Sequence, residues 1–365
     1  MTLKGLIPGT QKNINVSPEK WEYGNVINNN KKIDAFLGLG CFTLGFKRHD
    51  IIDHVCEQLK HHVYDNAEAL FVEEDIYLHN IAFQLSEKLY QITGGYKSFF
   101  ALSGSDANEG AVKLAAAYHK LKGNNKDKVI AFHNSYHGST FLNHNMGNAL
   151  SEDPFYNLKK YDGVQLIKKD FEKDSVDWGS VMCIIVETRS WSSLLNPEPE
   201  GFWQKLKDIQ GEHDVLIIID DIFIGGGKTG QFVGWQHLDI KPDIFTMGKS
   251  MTGGYFPLSV TLYNEKVYSV LPKNFVWDHG FTYSFSSAGI LSTLKYMDIL
   301  EKEKIFENIE AVRTRAEHVF YRCKYKVINN LGVMYFIQRQ DSSLFYIIPL
   351  NATDEYFQLL EQSLI

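Results

Sequence analysis

Val215-Leu216-Ile217-Ile218-Ile219 carries no polar residue at any position, and it ends abruptly in Asp220. A strand with one wet face alternates apolar and polar residues. An unbroken apolar run therefore implies cover on both faces, as in a parallel sheet between helices. Val181-Met182-Cys183-Ile184-Ile185-Val186 repeats the pattern and ends in Glu187, and the shorter Ile244-Phe245-Thr246-Met247 ends in Gly248-Lys249. Open α/β sheets bind ligands outside the carboxyl ends of their strands, so Asp220 and Lys249 are expected to face one crevice.

Between the apolar runs lie amphipathic stretches. The spacing predicts helices over 106–121 and 201–211, with strands near 128–132, 181–186, 215–220 and 244–248. Further helix-like segments are expected at 50–60, 291–303, 305–323 and 353–363. This alternation argues for a mainly parallel sheet sandwiched by helices. A chain of 365 residues holds one large α/β domain with a smaller companion. A net charge of −7 supplies no global attraction to nucleic acid or to an anionic membrane. Cys41, Cys56, Cys183 and Cys323 have no metal-like spacing, and Cys183 sits inside an apolar run, so packed, reduced thiols are expected. No run approaches the ~18 apolar residues a membrane span needs. The first residues show no secretory signal pattern, so a cytoplasmic protein is expected.

An Asp after an apolar strand is by itself commonly a turn residue or a helix cap, and a lone Lys is commonly solvated. The pair means more. A lysine that forms a Schiff base, with an aspartate opposing a pyridinium nitrogen, is the recurring protein machinery for pyridoxal phosphate (PLP). Gly227-Lys228-Thr229 invites a nucleotide-binding reading. A Walker loop, however, needs a glycine five positions before Gly227, where this chain has Ile222, and no helix is signalled at Lys228.

Asp220-Asp221-Ile222-Phe223-Ile224-Gly225-Gly226-Gly227-Lys228-Thr229-Gly230, then Pro242-Asp243, then Gly248-Lys249, resembles the signature of class-III aminotransferases, PLP enzymes of fold type I. The resemblance runs from about residue 34 to 300 and is most specific between 99 and 290. It implies a large PLP-binding domain over 56–290. The remainder, 1–55 and a shortened 291–365, would combine into a smaller α+β domain.

Three more segments extend the likeness. Ser103-Gly104-Ser105-Asp106-Ala107-Asn108-Glu109 precedes a helical run. As plain structure it is a capped helix start, and the same exposed amides and helix dipole make an anion site. The resemblance assigns the cofactor phosphate to Gly104 and Ser105. Ser135-Tyr136-His137-Gly138-Ser139-Thr140 implies Tyr136 stacked on one face of the pyridine ring, Ile222 against the other, and His137 in support. His279-Gly280-Phe281-Thr282-Tyr283-Ser284 implies that Thr282 reaches the phosphate of a neighbouring subunit, which makes an obligatory homodimer. Glu187 matches a Glu-Pro element in which Thr188 replaces the proline.

The implied reaction moves an amino group between an amine or amino acid and a carbonyl acceptor in ping-pong fashion, with Lys249 and Asp220 as catalytic residues. A decarboxylase, mutase or lyase on the same scaffold is the alternative, and a non-catalytic scaffold subunit is a third reading. Several positions depart from the family pattern: Phe223 for glutamine, Asp221 for glutamate, Lys228 for arginine. Near Pro349-Leu350 many relatives carry a carboxylate-binding arginine, where this chain has Leu344, Phe345 and Tyr346. Phe345, Tyr346, Trp191 and Phe223 are expected to add aromatic surface, favouring an amine without a carboxylate on its reacting carbon. Arg189 and Arg339 are the candidates for a relocated carboxylate site.

Overall fold

The computed structural model describes residues 34–60, 77–147, 161–171, 175–190, 196–340 and 342–365. Trp191 lies outside them, as do residues 1–33.

The central sheet has seven strands: β1 (Lys97–Ala101), β2 (Lys128–Phe132), β3 (Val164–Ile167), β4 (Val181–Glu187), β5 (Leu216–Asp220), β6 (Ile244–Met247) and β7 (Ser259–Tyr263). Their spatial order is β1-β7-β6-β5-β4-β2-β3. β3, β2, β4, β5 and β6 run parallel, and β7 is antiparallel to both β6 and β1. β7 alone is therefore reversed within this sheet.

The apolar runs occupy the centre of the sheet, as their unbroken hydrophobicity requires. Every residue of β4 and β5 is buried. Alternate residues of β5 enter different layers. Ile217 and Ile219 join one core cluster with Val186 and Phe245, while Leu216 and Ile218 join the other with Ala111 and Ala115 of the helix Gly104–Leu121. Full burial of each such side chain stabilises the fold by roughly 1.5–3 kcal/mol relative to exposure.

A second, three-stranded antiparallel sheet of order β10-β9-β8 joins β8 (Lys326–Leu331), β9 (Met334–Arg339) and β10 (Ser342–Ile347). Early chain closes on it: Ile347 donates its N–H to Ala35 O and Leu350 to Thr43 O, both at 2.8 Å. The helices His49–Leu59 and Ser287–Lys302 pack together, and Thr43 Oγ1 meets Tyr296 OH at 2.7 Å. The C-terminal sheet also reaches the central one through Val333 N–H, which donates to Lys228 O at 2.9 Å.

Candidate functional site

Six strands, β1 to β6, end on the same side of the central sheet, and residues at or just past five of those ends meet there. After β1 comes Ser103-Gly104-Ser105; after β2, Tyr136-His137-Gly138. Glu187 ends β4, Asp220 ends β5, and Lys249 follows β6. All of these residues line one cavity of about 310 Å³, within the size range of small-molecule sites. Phe36, Leu39, Asn108, Arg189, Ile222, Phe223 and Ile224 complete its wall. Thr282 is exposed and stands apart from this lining.

Strand pairing sets the floor: Glu187 is in register with Asp220, and Asp220 with Thr246. Asp220 Oδ2 accepts from Asn108 Nδ2 and His137 Nδ1, both at 2.8 Å, and Oδ1 accepts from Ile222 N–H at 3.1 Å. Asn108 ties the network together. Its Nδ2 also donates to His137 O at 2.8 Å, and its Oδ1 accepts from Thr246 Oγ1 at 2.8 Å. The Asp220 carboxylate is thus held in one orientation by three donors on three different segments. His137 Nε2 is buried and has no partner among the described residues.

Sequence reasoning passed over Asn108. A signal was present, because Asn108 lies one helical turn beyond Gly104 and therefore on the same face.

Lys249 adopts a left-handed backbone, with φ +49°. For a residue with a Cβ this costs roughly 1–3 kcal/mol, and such strain clusters at functional sites. Burial depresses the Lys249 amine below its ordinary range, with the nearby Asp220 charge acting the other way. Its Nζ stands 4.9 Å from the centre of the Phe223 ring. Glu187, almost fully buried, is pushed up to about 7 by burial, opposed by His137.

The Gly104–Leu121 helix begins behind Ser103, whose hydroxyl accepts from Asp106 N–H at 3.2 Å, while Leu102 N–H donates to Asp106 Oδ2 at 2.8 Å. The cap is therefore Ser103, leaving Gly104 and Ser105 in the first turn with their amides toward the cavity end of the helix. A Cβ on Gly104 would come within 2.8 Å of Ile222 Cδ1, and one on Gly138, at φ +121°, within 2.2 Å of Ser105 Oγ. No larger residue fits either position without moving the wall. A small-residue cradle at a helix N-terminus suits a phosphate, and a fixed carboxylate with a desolvated amine suits a pyridine aldehyde. The residues present therefore fit PLP.

Of the expected aromatic surface, Phe223 lines the cavity. Phe345 is buried one layer behind, its ring 5.1 Å from Phe36 and 6.3 Å from Phe223. Tyr346 packs against Phe320 instead. Arg339 bonds Cys323 O and Leu364 O and lies over the Tyr325 ring, away from the cavity.

Comparison with known proteins agrees with this geometry. The family model described as aminotransferase class-III matches residues 10–341. An uncharacterized aminotransferase of Sinorhizobium fredii is 29% identical over 313 residues, covering 78% of this chain and 66% of the relative. A putrescine–pyruvate aminotransferase of Pseudomonas aeruginosa is 27% identical over 307 residues, covering 77% and 66%. The solved structure of a Bacillus anthracis aminotransferase shares the fold, with a TM-score of 0.81 at 22% identity over 99% of this chain and 95% of that one. The chain spans 64–66% of the length of the first curated relatives it matches. No helix among the described residues is long and apolar enough to cross a membrane.

Proposed function

Because the chain belongs to the class-III aminotransferase family, we propose that it is a PLP-dependent aminotransferase, moving an amino group between an amine or amino acid and a carbonyl acceptor. The observation that carries the reading is the arrival of Lys249, Asp220, Tyr136 and the Gly104-Ser105 cradle at one cavity from separate strand ends.

In this reading Gly104 and Ser105 hold the cofactor phosphate, Tyr136 and Ile222 enclose the ring, and Lys249 is the attachment point. When bound, PLP supplies an electron sink that stabilises negative charge at the substrate carbon and carries the amino group between substrates. Asp220, its orientation fixed by Asn108 and His137, presents negative charge to the ring nitrogen. Lys249 Nζ, kept low in proton affinity by burial, takes a proton from the substrate carbon and returns it. Phe36, Phe223 and Ile224 exclude water from that transfer.

The dimer belongs to the same proposal. Thr282 is exposed beside exposed Phe281 and Tyr283, as a segment reaching into a second copy would be. We also assign residues 1–55 and 291–365 to a smaller domain around 56–290. The backbone bonds from 347 to 35 and from 350 to 43 support this.

Borohydride reduction of PLP-treated protein, followed by peptide mapping, should place a pyridoxyl group on Lys249. A group on Lys228 or Lys113 instead would defeat the assignment. Asp220→Asn should keep that labelling but turn over far more slowly, and product analysis with amine donors and oxo acceptors separates transamination from decarboxylation or elimination.

A further inference from the structure

We propose that Lys228 is a positioning residue for Lys249: its buried amine clamps the turn that begins at Lys249 and so fixes where Lys249 Nζ stands in the cavity; this rests on the function proposed above. Lys228 is wholly buried, and its Nζ donates to Gly225 O at 2.7 Å and Ser250 Oγ at 2.6 Å. Ser250 Oγ in turn donates to Gly225 O at 2.9 Å, which closes a triangle of hydrogen bonds on the residue next to Lys249. The glycine loop lies directly against this turn. A Cβ on Gly226, at φ +77°, would come within 2.2 Å of Ser250 Oγ and 3.0 Å of Met251 N.

The turn needs holding. Lys249–Thr252 is a single 3₁₀ turn, entered from an extended Gly248 and left through Gly253 at φ +67°. Lys249 itself sits at φ +49°, a conformation that persists only where the surroundings over-determine it. Side chains from two other segments tie the turn down. Ser292 donates to Thr252 O at 2.7 Å at the far end, and Lys228 grips Ser250 at the near end. With the near end released, Lys249 can relax toward the right-handed region, and that rotation redirects its side chain and carries Nζ with it.

An apolar side chain of the same length would fill this space without desolvating an amine. What the amine adds is the hold on Ser250. The base of the clamp is anchored independently: Val333 N–H donates to Lys228 O at 2.9 Å, and Tyr296 OH donates to Gly226 O at 2.7 Å. The strut thus runs from the C-terminal sheet, through the Gly225–Lys228 loop, to the turn that carries Lys249. The two amines are close enough that the Lys249 charge disfavours the Lys228 cation. Losing that proton does not open the clamp, because a neutral amine still offers two N–H groups to its two acceptors.

The test follows attachment of PLP to the full chain freed of cofactor, a step in which Lys249 Nζ joins the aldehyde carbon and water leaves. Borohydride trapping at intervals, with peptide mapping, gives the rate at Lys249. Misplacing a reacting group by ~1 Å costs ~100-fold, so Lys228→Met should attach PLP roughly 10- to 100-fold more slowly than the wild type. The rates are compared on their alkaline plateau, where a change of charge near Lys249 no longer contributes. Pyridoxamine phosphate has no aldehyde and does not use Lys249, so its affinity should stay the same. Ser250→Ala cuts the same tie from the other end and should slow attachment as much; the double variant should fall no further than the slower single one. A urea midpoint for Lys228→Met no lower than that of the wild type shows an intact fold, and Ser250→Ala carries the test if that variant unfolds. Attachment at the wild-type rate in either folded variant, losses that multiply in the double variant, or an equal loss of pyridoxamine phosphate affinity would each overturn the inference. No label on wild-type Lys249 would bring down the proposed function as well, whereas a labelled wild type with equally fast variants overturns this inference alone.

Discussion

Replacing Lys228 with methionine should stabilise this protein at neutral pH, and the gain should vanish in alkali. Lys228 has no solvent exposure, and its Nζ donates to Gly225 O at 2.7 Å and Ser250 Oγ at 2.6 Å. Among the described residues no full counter-charge accompanies it. The Cys41 thiol is pushed up by burial, and Asp221 is raised to about 7. Burial accordingly pulls the Lys228 amine from 10.5 down to about 7. At ~1.4 kcal/mol per pH unit, that gap is a destabilisation of about 5 kcal/mol at neutral pH. Below the folded value both folded and unfolded chains hold the proton, and the penalty is complete. Between about 7 and 10.5 the unfolded chain holds it and the folded chain does not, so stability rises with pH. Above 10.5 the effect is gone. Methionine removes the penalty at every pH and forfeits two hydrogen bonds of ~1 kcal/mol each. Ser250 Oγ keeps Gly225 O at 2.9 Å, so no hydroxyl is orphaned. Lys228→Met should therefore exceed the wild type by about 3 kcal/mol near pH 7 and match it near pH 9, since about 3 kcal/mol of the penalty disappears over that interval. Urea unfolding followed by circular dichroism, with equal PLP in both samples, measures the difference at each pH. A difference that does not change with pH would refute the reasoning, because it would mean that Lys228 folds with its proton and a full partner.

Two other perturbations are read by similar means. Thr188→Pro removes both the N–H that Asp220 O accepts and the hydroxyl on Asp221, and should cost ~2–4 kcal/mol in the same urea titration. Thr188→Val, which loses the hydroxyl alone, should cost about half of that, and an unchanged midpoint in either would dismiss the contact. Thr282→Val should weaken PLP retention on dialysis by ~1.5–3 kcal/mol, the worth of a charge-assisted hydrogen bond. Mixed dimers with Lys249→Ala subunits should then contain one intact site, and activity no better than the Thr282→Val homodimer would argue against a shared site.

The runs of apolar residues located the elements well, because burial on both faces leaves its mark on every residue. The strand expected at 128–132 is observed at Lys128–Phe132, and that at 215–220 at Leu216–Asp220. The helix expected over 305–323 is observed at Ile305–Arg322. Direction is a different matter. Ser259-Val260-Thr261-Leu262-Tyr263 reads as a strand, but its reversal between β1 and β6 depends on the path of the chain around the sheet, which no local pattern encodes. The three-stranded sheet was obscured for another reason. Lys326 and Ile328 of β8 stay exposed and its core face is interrupted by Asn329 and Asn330, so the two-residue period is weak. At the site, residues that end strands were legible from the sequence. Phe36 and Leu39 were not, since they reach the cavity from a left-handed turn remote in sequence, pinned by Asp34 through the N–H groups of Phe36 and Gly38.

The departures from the family pattern are coupled in space, which changes how each should be judged. Asp221 stands where glutamate is usual, and it is enclosed. A Cβ on Gly225 would come within 2.6 Å of its Oδ2, and one on Gly234 within 2.6 Å of its Oδ1. The shorter acid accepts from Gly234 N–H at 2.7 Å and from the Thr188 hydroxyl. A proline at 188 could supply no hydroxyl, so the change at 188 provides the donor that the buried acid at 221 needs. Lys228 in place of arginine belongs to the same layer. It favours the ionised form of Asp221 through its charge and ties the Gly225 carbonyl to Ser250, the residue after Lys249. An arginine carries more donors than the two acceptors met here, and it does not shed its proton. Lys228 can do so near neutrality, which lets a fully buried base sit behind Lys249 without a permanent charge. Read singly, these three substitutions look like erosion of a signature. Taken together they form one repacked layer beneath the cavity, and it leaves the Asp220–Asn108–His137 network above it fully bonded at the carboxylate.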